Sequence, residues 1–204
     1  MGKTKNTPRI IAFTGAAGAG KTTAARQLSE THRFGAGVIS PEVFMSGAHM
    51  RKAIVLSLAT PLKDICSGLF LRAPKAAFYG SKEDKEAPLE DYPGWTGRRI
   101  LQHVGTEGIR AVDPDVWVRL LMSQISLLSD EYGLVLIDDV RFVNEARVLC
   151  EVAEIYRVER PGLDAMTHAS ELEHMHIPVT GVLNNTGTLK EFADLVDAEL
   201  RWKG

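Results

Sequence analysis

At 204 residues the chain is expected to form one domain with a full core, with room for a mobile insertion. Its net charge of -2 argues against sequence-independent nucleic-acid binding, which needs a basic surface, and no apolar run approaches the ~20 residues of a membrane span. With 45% hydrophobic and 25% charged residues, the composition is that of an ordinary soluble globular protein, and a cytoplasmic location is expected. Cys66 and Cys150 are too few for a disulfide scaffold or a zinc site. Both lie in apolar periodic segments and are expected to be reduced core residues.

Residues 1–8 read as a disordered lead without the apolar core of a secretion signal. The Met-Gly start has Asn6 where an acylation signal wants Ser or Thr, so no lipid anchor is expected. Residues 9–14 form a strand, nearly all apolar and so buried on both faces. It runs into Gly15-Ala16-Ala17-Gly18-Ala19-Gly20-Lys21-Thr22, followed by Thr23 and a helix over 20–32 with Ala24, Ala25 and Leu28 facing inward. Glycine, four residues, then Gly-Lys-Thr is the phosphate-binding P-loop spacing. Gly15, Gly18 and Gly20 permit backbone angles and approaches that a Cβ would block. The loop's N–H groups and the helix dipole then favour a phosphate. Lys21, exposed in an empty cradle, would reach the β- and γ-phosphates, and the Thr22 hydroxyl would sit on Mg²⁺. The motif predicts that the protein binds a nucleoside triphosphate.

Residues 34–50 read as an irregular, Gly-rich excursion. A second buried strand is expected over 53–58, and a helix from Thr60-Pro61 to about Leu71, with proline at the first turn. The charged, proline-broken stretch 72–95 reads as a solvent-facing loop or small subdomain. Helices follow over 96–109, capped by Thr96, and over about 113–128, with a stripe at Val116, Leu120, Ile125 and Leu128. Further strands are expected over 134–138, 153–158 and 178–183, and helices over 142–150 and 188–202. Residues 160–176 are polar and His-rich. Trp95, Trp117 and Trp202 are assigned to packing. Alternating strands and helices imply a parallel sheet with helices on both faces, whose ligands bind beyond the carboxyl ends of the strands.

Several groups collect at those ends. Asp138 and Asp139 close an apolar strand, where a carboxylate can serve Mg²⁺; Asp139 is assigned with Thr22, and Asp138 stays open as the alternative. Lys63, Arg141 and Arg160 each follow a strand, and phosphoryl transfer needs such positive charge. Arg98, Gln102, Gly105 and Thr106 fall on one helical face, and Arg110 continues it. A guanidinium clamps phosphate, and an amide offers a donor and an acceptor to a base edge. His168, His174 and His176 lie near Glu171 and Glu173, but their spacing matches no closed zinc pattern.

The chain resembles the bacteriophage deoxynucleoside monophosphate kinases, members of the P-loop nucleotide kinases. The matching stretches are the P-loop, Ala59 to Asp64, Gly97-Arg98, Leu101-Gln102, Gly105-Thr106-Glu107, Asp115 to Val118, Asp139 to Glu145, Arg160-Pro161, His168 to Glu171 and Asn185 to Thr188. The resemblance runs from about residue 9 to the end, and it implies a three-layer P-loop kinase fold, a single domain over 9–204 with a mobile lid at about 160–175 and an acceptor-binding part at about 72–110. It implies Mg²⁺-assisted transfer of the ATP γ-phosphoryl to a nucleoside monophosphate, small-molecule partners only, and a possible homodimer in the host cytoplasm. By the same similarity Arg98 holds the acceptor phosphate, Gln102 the base, and Lys63, Thr106 and Arg110 line the acceptor site. Arg141 sits between the two phosphates, and Arg160 closes on the triphosphate. Two other expectations stand beside this one. A P-loop kinase of another small acceptor, such as dephospho-coenzyme A, shares the Asn-Thr-Gly-Thr ending. A P-loop switch would want a Lys-x-Asp after Asn184-Asn185, which is absent.

Overall fold

The structure, a computed structural model, describes residues 7–34, 52–128, 132–163 and 173–200. The expected lead at 1–6, the excursion over 35–50 and the middle of the expected lid, 164–172, lie outside these residues. By its contacts the chain divides into two units, residues 1–57 with 121–204, and residues 58–120.

The first unit is built on a five-stranded parallel sheet in the order β2-β3-β1-β4-β5. The strands are β1 (Arg9–Thr14), β2 (Lys52–Leu56), β3 (Tyr132–Val140), β4 (Glu154–Glu159) and β5 (Gly181–Asn184). β1 is central, pairing Ile11 with Leu136 of β3 and with Glu154 of β4. Its Ile11 and Phe13 face α1 (Lys21–Phe34) and the C-terminal helix Leu189–Leu200, in one core with Leu28, Leu136, Val158, Phe192 and Val196. Ile10 and Ala12 alternate to the opposite side, and with Val135, Ile137 and Ile155 they are buried there as well. On that side helix Val143–Leu149 packs against β4. A strand covered on both faces has no polar face, which is why β1 and β3 read as continuous apolar runs. Truncating Phe13, which is fully buried, to Ala would cost about 3–5 kcal/mol. Arg9 locks the start of β1: its Nε and Nη2 donate to the Glu154 carboxylate at 2.7 and 2.9 Å, and its Nη1 donates to the Leu200 carbonyl.

The fold is therefore α/β, with a parallel sheet between helical layers. The chain leaves β1 to one side for β2 and β3 and to the other for β4 and β5. That reversal opens the crevice at the carboxyl end of β1, where the P-loop stands.

The second unit is helical. It contains α2 (Thr60–Leu69), short helices Ala76–Tyr79 and Lys82–Glu86, helix Gly97–Gln102, a π-helical segment His103–Ile109 and a turn Arg110–Val112. Cys66, Ala77, Phe78, Leu89 and Ile100 form its small core, with Leu62, Phe70, Tyr92 and Trp95 packed around them. Residues 72–95 are thus a folded part of this core and not merely a loop. Ser81 and Asp84 cap the second short helix reciprocally.

Three expectations are corrected. Helix Val116–Ser126 buries Trp117, Val118 and Leu121, while Leu120 of the expected stripe is exposed. The apolar residues make two overlapping stripes, and the one bearing the larger Trp wins the core. Cys66 is buried, but Cys150 lies at the end of its helix and is exposed. The helix expected over 96–109 is α-helical only to Gln102 and π-helical beyond it.

Candidate functional site

The P-loop is held in shape by its neighbours. Gly15, Gly18 and Gly20 have φ of 134°, 80° and 111°, a region that only glycine occupies freely. A Cβ on Gly15 would stand 2.3 Å from the Val158 carbonyl oxygen, and one on Gly20 would stand 2.7 Å from Asn185 Nδ2. The loop is therefore pressed between β4 and the end of β5. Asn185 clasps it: its backbone N–H donates to the Glu159 carbonyl at 2.7 Å, and its Nδ2 donates to the Ala19 carbonyl at 2.8 Å. The family resemblance includes Asn185 at the start of Asn185 to Thr188, but nothing local announces its partner Ala19, 166 positions away.

Lys21 lies across the loop mouth. Its Nζ donates to the Gly15 and Ala16 carbonyls, both at 2.8 Å. The side chain was expected to be exposed, but the residue is only 8% exposed, because the loop's own carbonyls hold the ammonium down. Thr22 at the helix start is exposed, and its Oγ1 donates to Asp138 Oδ2 at 3.0 Å. Asp139 is engaged elsewhere, accepting from Arg141 Nε at 2.9 Å. Successive strand residues project to opposite faces, so only one of the two acids can meet Thr22, and that one is Asp138. The hydroxyl and carboxylate oxygens suit a hard cation such as Mg²⁺, which uses one or two protein oxygens and takes the rest from phosphate and water.

The turn after β3 is fixed by Glu145, which is buried. Its Oε2 accepts from the backbone N–H groups of both Arg141 and Phe142 at 3.1 Å, capping helix Val143–Leu149. Glu173 adds an acceptor for the Val143 N–H at 3.2 Å. These bonds fix the backbone from which the Arg141 side chain departs. Arg160 is exposed at the end of β4. With Gly18, Lys21, Thr22, Asn185 and Phe192 it lines a cavity of about 310 Å³. Of the lid expected over 160–175, only the two ends are described. Arg157 Nη2 donates to the Met175 and Ile177 carbonyls, and Gly162 turns with φ 76°. Among the described residues no three or more His, Cys, Asp or Glu converge as a metal cage. His174 is buried, and His168 and Glu171 lie outside the described residues.

In the second unit Arg98, Gln102, Thr106 and Arg110 are all half-buried. Arg98 Nε is 3.1 Å from Glu86 Oε1, and Arg110 Nη1 donates to the Pro114 carbonyl at 2.9 Å. Gly105 departs from the expected polar stripe. It is buried under Leu62, whose Cδ2 would stand 2.4 Å from a Cβ placed there. This glycine serves packing. Lys63 stands in the first turn of α2 with its Nζ 5.9 Å from the centre of the Tyr79 ring. Partial burial, and then the Asp64 carboxylate that accepts its hydroxyl, push Tyr79 up to about 12.

No protein-family model matches the chain. Over 201 residues it is 32% identical to a protein of Acanthamoeba polyphaga mimivirus named "Putative deoxynucleotide monophosphate kinase", across 90% of this chain and 91% of that protein. The solved structure of TT1252 from Thermus thermophilus is similar at 23% identity and a TM-score of 0.48, across 96% of this chain and all of that one. In the described residues no helix is long and apolar enough to cross a membrane.

Proposed function

The chain belongs to the nucleotide kinase family, and we propose that it transfers the γ-phosphoryl of ATP to a deoxynucleoside monophosphate. The observation that carries this reading is the junction of Lys21, Thr22 and Asp138 at the end of the central strand, with its glycine-shaped cradle. The name of the mimivirus relative supports the deoxynucleotide acceptor.

An oxygen of the acceptor phosphate attacks the γ-phosphorus, and the bond from that phosphorus to the β–γ bridging oxygen breaks. ADP leaves with the bond's electrons, and the acceptor becomes a diphosphate. Such a loose transition state asks the protein for position and positive charge more than for a base. Gly15 to Thr23 hold the triphosphate through backbone N–H groups and the start of α1. Phosphate oxygens are charged acceptors and stronger partners for Lys21 than the two carbonyls it meets here. Thr22 and Asp138 would hold Mg²⁺, which would supply charge neutralisation. Asp139 orients Arg141 so that its guanidinium addresses the phosphoryl group in flight. Arg160, at the rim of the cavity, faces the triphosphate. In the second unit Arg98 holds the acceptor phosphate, Gln102 reads its base, and Lys63, Thr106 and Arg110 complete the acceptor surface.

The test is ATP consumption measured across a panel of all ribo- and deoxyribonucleoside monophosphates. Turnover with at least one deoxynucleotide, above its ribo counterpart, supports the reading. ATP consumption indifferent to every nucleotide acceptor refutes it.

A further inference from the structure

We infer that the π-helical turn over His103–Ile109 is a phasing device that puts Arg110 on the same ligand face as Arg98 and Gln102, so that the two arginines, twelve residues apart, grip one acceptor. This rests on the acceptor assignment above and specifies how that site is built. In an unbroken α-helix of 3.6 residues per turn, positions twelve apart are rotated by about 120°. Arg98 and Arg110 would then face different directions. The Arg110 N–H, however, bonds to the Gly105 carbonyl five residues back, the mark of a π turn. Such a turn absorbs one extra residue, leaving eleven α-equivalents between the two arginines and a rotation of about 20°.

The burial pattern records the same phase independently. Arg98, Gln102, Thr106 and Arg110 are all half-buried, and the neighbouring series Arg99, His103, Glu107 and Ala111 is exposed throughout. A four-residue period kept over twelve residues does not arise on a straight α-helix, where each step of four drifts by about 40°. The sequence makes room for the wide turn. Gly105 lets Leu62 approach, and a Cβ on Gly108 would stand 3.3 Å from the His103 carbonyl oxygen, five residues back. π turns of this kind concentrate at functional sites. Here the gain is two guanidinium groups in register along one face, with an amide between them.

The test is equilibrium binding of deoxynucleoside monophosphates by calorimetry, with helicity and Tm followed for each variant. Arg98→Ala and Arg110→Ala should each weaken binding by about tenfold to a hundredfold. Moving the arginine one position back, Ile109→Arg with Arg110→Ile, should bind as weakly as Arg110→Ala, because position 109 is out of phase in a π turn. In a straight α-helix position 109 would be in phase and the moved arginine would restore binding. Arg110→Gln keeps a donor for the Pro114 carbonyl without the charge, should bind as weakly as Arg110→Ala, and carries the test if the moved arginine destabilises the fold. Parent-like binding by the swapped chain or by Arg110→Gln overturns the phasing inference, as does Arg110→Ala without effect beside a weakened Arg98→Ala. If Arg98→Ala and Arg110→Ala both bind as the parent does, the acceptor assignment itself falls.

Discussion

Asn185 donates its side-chain amide to the carbonyl of Ala19 at 2.8 Å, joining the end of β5 to the back of the P-loop. Both groups are buried, and the loop residue that follows, Gly20, has no room for a side chain against that amide. Asn185→Ala leaves a buried carbonyl without its donor, at a cost of about 1–3 kcal/mol. Its effect should fall on ATP more than on the acceptor: KM for ATP rises several-fold while KM for the monophosphate holds. Steady-state kinetics with each substrate varied in turn checks this. Equal effects on both substrates would make Asn185 a general stabiliser of the fold.

The two acids at the end of β3 should separate by function. Asp138 meets Thr22, and Asp139 meets Arg141. Asp138→Asn should raise the Mg²⁺ concentration needed for half-maximal rate. Asp139→Asn and Arg141→Ala should lower kcat more than they raise KM, since both act on charge that develops in the transition state. Magnesium titrations of the three variants decide it; a shifted Mg²⁺ requirement for Asp139→Asn alone would reverse the assignment.

Arg98 and Gln102 should separate as well. Phosphate is common to every acceptor, so Arg98→Ala should weaken all monophosphates by similar factors. The base edge differs between acceptors, and a lost buried hydrogen bond costs about 1–3 kcal/mol. Gln102→Ala should therefore depress some bases by about tenfold to a hundredfold and spare others. Comparison of kcat/KM across the acceptor panel is the check, and uniform losses for Gln102→Ala would remove its base-reading role.

The cysteines offer a test independent of catalysis. Burial pushes the Cys66 thiol up to about 11, so it stays protonated and shielded at neutral pH, whereas Cys150 is exposed. A thiol reagent at pH 7.5 should modify Cys150 in the native protein and reach Cys66 only after unfolding. Peptide mapping after alkylation would show it; rapid native labelling of Cys66 would mean that the small core of the second unit opens readily.

What was legible in the sequence was what local rules govern. The apolar run of β1, the glycines at 15, 18 and 20 and the Lys-Thr pair state a strand, a cradle and a helix within fourteen consecutive positions, Arg9 to Thr22. Strand alternation with helices was enough to imply the parallel sheet. Long-range partners were not legible. No residue near Asn185 announces Ala19, and nothing in Asp138-Asp139 says which acid meets Thr22, because that choice rests on the strand's facing within the sheet. The π turn was equally hidden, for a five-residue closure has no residue signature beyond the two glycines that tolerate it. On helix Val116–Ser126 the periodicity was sound, but two stripes satisfied it, and tertiary packing chose Trp117 and Leu121 over Leu120.

The central claim, phosphoryl transfer from the P-loop nucleotide to a deoxynucleoside monophosphate, is tested most directly by following the γ-phosphoryl itself. ATP labelled at that position, Mg²⁺ and one deoxynucleoside monophosphate are incubated with the protein, and the products are separated. The label should appear in the deoxynucleoside diphosphate in equal amount to the ADP formed, only when the acceptor is present, and not with Lys21→Ala. Label released as inorganic phosphate, at a rate unchanged by the acceptor, would contradict the account.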